Sequence, residues 1–180
     1  MTRRRLDRGS PSSHRLLSIA IVLSAVALLL SSCAGADEQG TPAERIQAWV
    51  KGSRFANSVG TLRADSVRIE TVINEHHGSS AIRTDCSVIV TDASSANDEL
   101  PTPDTLLTEL LSRAYALEGS AGSACYAAGS TNKALLSRSA RDRVEANDLF
   151  NDAIARISAI TGKTVSTTTS TQPSAGGIFG

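Results

Sequence analysis

The chain has 180 residues, of which 41% are hydrophobic and only 3% are aromatic. Five of its 18 basic residues and one of its 18 acidic residues precede Cys33, so the remaining 148 residues carry 13 basic and 17 acidic side chains, a net charge of −4. This mild acidity argues against a basic nucleic-acid-binding surface, and no nucleic-acid partner is expected. A length of 148 residues is enough for one domain with a buried core.

Residues 1–32 have the composition of an export signal. Five arginines precede an apolar run over residues 16–30, and this run is shorter than the roughly 20 residues that a permanent membrane-spanning helix needs. The run closes with Leu-Ser-Ser-Cys at residues 30–33, which resembles the lipobox of bacterial lipoproteins. The resemblance implies that a peptidase removes residues 1–32 and that the Cys33 thiol carries a diacylglyceryl group.

The lipobox resemblance implies a location on the extracytoplasmic face of the cell membrane, with membrane lipid as a partner through acylated Cys33. The alternative is an ordinary signal or anchor with an unrelated cysteine. Arginines at positions 3–5 also resemble a twin-arginine export signal, so the export route stays open. Amino-acid usage is similar to that of small uncharacterised lipoproteins of actinobacteria, a likeness that brings no functional residues with it.

Both ends of the remaining chain are predicted to lie outside the folded domain. Residues 33–40 are small and polar, as in a flexible tether. Residues 163–180 are rich in Thr, Ser and Gly and are predicted to be disordered. Within them, Ile178 and Phe179 form the one apolar pair, which is either a docking peptide or a frayed end. The folded domain is therefore expected over residues 41–162.

The first half of this domain reads as three helices. Thr41 and Glu44 form a capping box around a proline at the first helical position. This helix is expected to end or kink at Gly60, and Thr61 is expected to cap the second one. Residues 76–80 then form a break in which a serine is the expected cap of the third helix. Residues 88–91 are strand-like by propensity, so a short strand is the alternative there.

The second half reads as two longer helices. Thr102 and Pro103 suit the cap and first turn of the fourth helix, whose second half is expected to be weakened by Gly119 and Gly122. Gly129 is a natural stop, and a fifth helix is expected over residues 132–161. The chain is therefore predicted to be all-α, an antiparallel bundle of four to five helices. Its many core alanines predict close packing and little room for a large ligand cavity.

Cys86 and Cys125 remain as an even pair once Cys33 is lipidated, and an oxidising compartment favours a disulfide between them. If the third and fourth helices were straight neighbours turning at Pro101, the two cysteines would differ in axial position by about 14 Å. A disulfide needs Cα atoms within about 7 Å. Either the fourth helix bends near its glycines, or the cysteines do not pair and are two buried thiols.

No catalytic, metal or cofactor motif accompanies these features. His76 and His77 are adjacent, so they would point about 100° apart on a helix and could not easily share a metal ion, and a polar loop is the preferred interpretation. Mixed charges in the fifth helix are expected on an exposed face; these are Arg138, Arg141, Arg143, Asp142, Glu145 and Asp148. No cofactor and no metal are predicted.

The sequence thus favours a non-enzymatic, membrane-anchored domain that acts as an interaction or cell-envelope accessory protein, with an envelope protein as its partner. The alternative is a small-ligand or metal-binding lipoprotein associated with transport. That alternative would need a cavity lined by residues such as Trp49, Tyr115 and Tyr126.

Overall fold

The computed structural model describes residues 40–167, and this part of the chain contains five helices and no strand. The helices are α1 (Pro42–Gly52), α2 (Phe55–Asn74), α3 (Ser79–Asn97), α4 (Thr105–Ala128) and α5 (Lys133–Thr161). The predicted all-α fold is confirmed. The alternative strand over residues 88–91 is wrong, because Cys86, Ile89 and Ala93 lie on one buried face of α3.

The helices form an antiparallel bundle in which most sequence neighbours pack against each other. α3 packs between α2 and α4, α4 packs extensively against α5, and α1 lies against α5. Many core positions are small residues, as predicted, and the largest fully buried side chains are Phe55 and Phe150. α2 and α5 touch each other much less than α2 and α3, α3 and α4, or α4 and α5 do. The bundle is therefore least tightly closed along the α2–α5 side.

The turn between α1 and α2 lies at Ser53 and Arg54, so the predicted end of the first helix at Gly60 is wrong. Gly60 is buried within α2. Turning early allows Phe55 to enter the core, where its ring centroid lies 5.5 Å from that of Trp49. Glu99, which lies just after the C-terminal end of α3, supports the turn, since its carboxylate accepts hydrogen bonds from the Arg54 backbone N–H (2.9 Å) and Nε (3.0 Å). The capping box at Thr41 is confirmed.

Two other helix starts differ from the prediction by one or two residues. α3 is capped by Gly78, and the hydroxyl of Ser79 instead hydrogen-bonds the α4–α5 loop at Ser130, 2.7 Å from its Oγ. The cap of α4 is Asp104, because its Oδ1 accepts a hydrogen bond from the Leu107 N–H (2.8 Å). Thr102 is buried in the preceding loop, where its hydroxyl donates to the Asp104 carbonyl (2.7 Å).

Cys86 and Cys125 form a disulfide, with Cα atoms 5.7 Å apart and both side chains fully buried. α4 does not break at its glycines to allow this: it is one helix from Thr105 to Ala128. The register is set instead by the α3–α4 loop. Asn97, the last residue of α3, lines the same surface groove as Ser112, so the first turns of α4 extend past the end of α3. The mismatch of about 14 Å in the sequence-based estimate arose because that estimate placed the end of α3 and the start of α4 at the same height along the bundle.

Gly122 allows α3 and α4 to approach closely beside this disulfide. A Cβ atom at Gly122 would lie 2.5 Å from the Ile89 side chain and 2.9 Å from the Cys86 carbonyl oxygen. Overpacking of this kind costs about 1–3 kcal/mol, so we expect Gly122→Ala to lower the free energy of unfolding by about 2 kcal/mol. Denaturant unfolding of the purified variant measures the change.

Gly119→Ala is the matched control for that substitution. It lies on the same helix, and a Cβ there would meet no atom within 4 Å. Alanine is a better helix former than glycine by up to about 1 kcal/mol, so this variant should be as stable as the wild type or more so. Equal destabilisation by both substitutions would contradict close packing at Gly122.

The chain after α5 returns along the bundle at least as far as Thr167. Val165 packs against the core, Lys163 Nζ donates to Gln47 Oε1 (2.9 Å), and Arg63 Nη1 donates to Thr167 Oγ1 (2.9 Å). The first five residues of the predicted disordered tail therefore contact the domain. The rest of that tail, with the pair at 178–179, lies outside the described residues, as do the predicted signal, Cys33 and nearly all of the tether.

Candidate functional site

Charged side chains interrupt the apolar interior on the α2–α5 side of the bundle. Glu118 of α4 is 2% exposed and Arg143 of α5 is 5% exposed. Both occupy core-facing positions, since Glu118 lies seven residues after buried Leu111 and Arg143 lies seven residues before buried Phe150. The prediction that Arg143 belongs to an exposed mixed-charge face is therefore wrong.

Only some of the hydrogen-bond donors of Arg143 have partners in the protein. Its Nη1 donates to Ser139 Oγ at 2.8 Å, and its Nη2 lies 3.7 Å from Glu70 Oε1. Its Nε is buried and has no hydrogen-bond partner within the protein. Burial lowers the pKa of Arg143, while Glu70 and Glu118 raise it. The guanidinium nevertheless remains charged throughout the accessible pH range.

Glu118 is the most strongly perturbed acid of this region. Its Oε2 is buried without a hydrogen-bond partner in the protein. Burial raises the pKa of Glu118 to about 8, and the negative charge of Asp65 adds to the rise while Arg143 opposes it. An acid with this pKa is mostly neutral at pH 7, so it presents a carboxylic O–H that donates a hydrogen bond.

A pocket of about 350 Å³ brings Glu118 and Arg143 together between α2 and α5. Its lining residues are Arg63, Ser66, Val67, Glu70, Glu118, Arg143, Val144 and Asn147. The pocket lies between α2 and α5, which make little contact with each other. Pockets that hold small ligands measure about 300–1,000 Å³, so the volume suits a small molecule.

Arg63 adds a second guanidinium to the pocket and is held there by neutral acceptors. Its Nε donates to Asn147 Oδ1 (2.9 Å) and its Nη2 to Asn151 Oδ1 (2.8 Å), while Nη1 donates to Thr167. None of these three partners is a carboxylate. Only Asn147 of the three also lines the pocket, and the Arg63 guanidinium has no directly bonded counter-charge.

Asp65 forms a neighbouring charged cluster between α2 and α3. Arg68 bridges Asp65 and Asp85, with nitrogen–oxygen distances of 2.7 and 3.0 Å. The pKa of Asp65 is raised to about 6, mainly by burial and also by the neighbouring Asp92, while Arg68 opposes the rise. This cluster contributes charge near Glu118, but its residues do not line the pocket.

The aromatic residues named for a ligand cavity are not brought together. Tyr115 is buried against Phe150, with ring centroids 5.6 Å apart, and Trp49 packs on Phe55 at the α1–α2 turn. Tyr126 is exposed beneath the Arg83 guanidinium. Tyr115 also lines the surface groove between α3 and α4, but neither Trp49 nor Tyr126 does. The three aromatic residues therefore share no cavity, and the polar pocket lies elsewhere.

His76 and His77 lie in the loop after α2, as predicted. His76 has a positive φ of 57°, and His77 Nε2 lies 3.0 Å from Glu75 Oε2. Asp85 pairs with Arg68 and not with either histidine. Within residues 40–167, no group of three or more His, Cys, Asp or Glu side chains is arranged to hold a metal ion.

The chain matches no protein-family model, and no curated protein or solved structure was found to be similar to it. In the part of the chain that the structure describes, no helix is both long enough and apolar enough to span a bilayer. Lipidation at Cys33 concerns a residue outside that part and stays a prediction.

Proposed function

We propose that this chain is an extracytoplasmic lipoprotein, held at the cell membrane by acyl chains on Cys33, whose helical domain acts by binding and not by catalysis. The observation that carries the location is the Leu-Ser-Ser-Cys segment at residues 30–33 directly after a 15-residue apolar run. A lipidated cysteine with two acyl chains anchors a protein stably, whereas a single chain does so only marginally.

The disulfide supports export independently of the signal. Disulfides persist in oxidising compartments and are rare in the reducing cytosol. Cys86 and Cys125 come from different helices and lie fully buried with their Cα atoms 5.7 Å apart. Export to an oxidising compartment would supply the oxidant that formation of this bond from two thiols requires.

An anchor at Cys33 would hold the helical domain at the outer surface of the membrane, where it could contact other envelope proteins. This suits a role as an interaction or cell-envelope accessory domain. The alternative, binding of a small ligand in connection with transport, is favoured by one specific observation: the polar pocket with buried Glu118 and Arg143. Of the described residues that line it, none is a histidine or cysteine that could pair with the Ser66 hydroxyl for nucleophilic chemistry. The pocket therefore suits recognition better than reaction.

The anchor is tested by Cys33→Ala in the native host. We expect the wild-type protein in the membrane fraction and in the detergent phase of a cloud-point extraction, and the variant largely shifted out of both or retained as unprocessed precursor. Cys86→Ala/Cys125→Ala, which leaves Cys33 intact, should partition like the wild type. A Cys33→Ala protein that is processed and membrane-bound to the wild-type extent would refute lipid anchoring at this residue.

A further inference from the structure

A groove of about 440 Å³ opens on the surface between α1 and the end of α5. The chain that returns after α5 contributes to its lining, with Val165 packed toward the core. Val50 of α1 and Ala56 of α2 also line it, and all three side chains are half-buried. This α1–α5 groove therefore has an apolar surface that a bound molecule can contact.

Two lysines give the α1–α5 groove a positive charge. Lys51 and Lys163 both line it, and both are exposed. Lys163 Nζ donates to the neutral Oε1 of Gln47 at 2.9 Å, which leaves two of its three donors for other acceptors. Among residues 40–167, neither ammonium group forms an ion pair, and no residue that lines the groove is acidic. An anionic group can therefore reach both cations without displacing a carboxylate.

The positive groove contrasts with the acidity of the chain around it. The residues from Cys33 onward carry 13 basic and 17 acidic side chains and only three lysines, and two of those three lysines line this one groove. Ammonium groups bind phosphate well as point charges, and the apolar side chains beside them suit a hydrocarbon chain. A molecule that joins a phosphate to a hydrocarbon chain fits both features. Phospholipids have this chemistry.

The helix that borders the groove is also the one closest in sequence to the proposed anchor. Eight residues separate Cys33 from Pro42 at the start of α1, and an extended chain of that length spans at most about 30 Å. α1 itself has 11 residues and is therefore about 16 Å long. The tether is long enough to let the α1–α5 groove reach phospholipid head groups and too short to let the domain move far from them.

We propose that the α1–α5 groove binds an anionic phospholipid of the membrane that holds the anchor, with the lipid phosphate at Lys51 and Lys163. The upper part of one acyl chain lies against Val50, Ala56 and Val165. A groove of about 440 Å³ is too small for a whole two-chain phospholipid, so the rest of the lipid stays in the bilayer. This inference rests on the location proposed above, because the anchor brings the groove to the bilayer.

Trp49 provides a fluorescence signal for lipid in the groove. It is the only tryptophan of the chain, it precedes Val50, and its ring packs on Phe55, the neighbour of Ala56. The test reconstitutes the acylated full chain into vesicles of one part phosphatidylglycerol to four parts phosphatidylcholine. Bromine, a short-range quencher of tryptophan, is placed on the upper acyl chains of either the phosphatidylglycerol or an equal amount of the phosphatidylcholine.

We expect at least twofold stronger quenching by the brominated phosphatidylglycerol, because bromine density in the bilayer is the same in both preparations. Equal quenching by the two lipids would overturn the proposal. Soluble glycerol 3-phosphate, which has the phosphate without the acyl chains, should not reduce the difference. If it abolished the difference, the ligand would be a free phosphate ester and the assignment to a lipid would be wrong.

Substitution of the lysines locates the site. Lys51→Gln/Lys163→Gln changes two exposed positions, where folding is not at risk, and should remove the excess quenching by phosphatidylglycerol. Lys133→Gln is the matched control, since Lys133 is exposed at the start of α5 and does not line the groove; it should keep the excess. Retention of the excess by the double variant would place the lipid elsewhere, and its loss in Lys133→Gln as well would attribute it to overall charge.

Flotation with vesicles of phosphatidylcholine alone separates the groove from the anchor. The wild type and Lys51→Gln/Lys163→Gln should both float with these neutral vesicles, because the acyl chains on Cys33 do not need the lysines. A chain that floats and is quenched equally by the two brominated lipids would contradict the groove alone. A wild-type chain that does not float would contradict the anchor and, with it, the assignment of this lipid to the tethering membrane.

Discussion

Loss of the Cys86–Cys125 bond is expected to lower the free energy of unfolding by about 3 to 4 kcal/mol. The bond joins residues separated by 39 positions, and closing a loop of that length restricts the unfolded chain by about this amount in the loop-entropy description. Because both cysteines are fully buried, neither surface charge nor solubility should change. Urea unfolding of the oxidised wild type and of Cys86→Ala/Cys125→Ala measures the difference.

Wild-type protein unfolded in the presence of a thiol reductant is the control, because reduction breaks the bond without removing either cysteine side chain from the core. It should lose most of the same stability, whereas the double variant should be insensitive to reductant. The bond would be ruled out as a stabilising element if the wild type unfolded at the same urea concentration with and without reductant.

The second large effect concerns the pH dependence of stability, which we expect Glu118→Gln to reduce. Burial raises the pKa of Glu118 from 4.5 to about 8 in the folded protein. Between these values the unfolded chain releases the proton while the folded protein retains it, so stability falls as pH rises from about 4.5 to about 8 and is level above that. Glutamine stays neutral, and the variant should exceed the wild type at pH 8.5 by a difference on the order of 3 kcal/mol.

At about pH 3.5 the two proteins should be nearly equal in stability, because this pH lies below both pKa values of Glu118 and the side chain is mostly protonated in the folded and in the unfolded wild type. Some pH dependence should remain in the variant between about pH 4 and 6, because burial also raises the pKa of Asp65, to about 6. Glu109→Gln, at an exposed position on the same helix, should follow the wild type. Identical profiles for the wild type and Glu118→Gln would show that Glu118 ionises normally.

Helical periodicity and capping residues were sufficient to predict the fold class and most helix ends. The capping box at Thr41, the stop at Gly129 and the last helix ending at Gly162 are all local signals, and all agree with the structure. The turn at Ser53 and Arg54 could not be predicted in this way. It depends on Glu99, which is 45 residues away from Arg54, and on burial of Phe55 in the assembled core.

The candidate site was missed because its two central residues look like surface charges in the sequence. Glu118 and Arg143 each lie in an otherwise polar or small-residue stretch, and charged residues in helices are usually exposed. The heptad spacing from Leu111 to Glu118 and from Arg143 to Phe150 was the available signal. Local pattern alone could not show that both helices leave a gap toward α2, because that gap arises from tertiary packing.

The account as a whole describes an exported, lipid-anchored bundle closed by one disulfide, and the intact mass of the membrane-extracted protein tests it most directly. We expect a chain that begins at acylated Cys33, with Cys86 and Cys125 open to alkylation only after reduction. A mass without acyl groups, or one in which both thiols of the unfolded, unreduced protein react, would contradict export to an oxidising compartment on a lipid anchor.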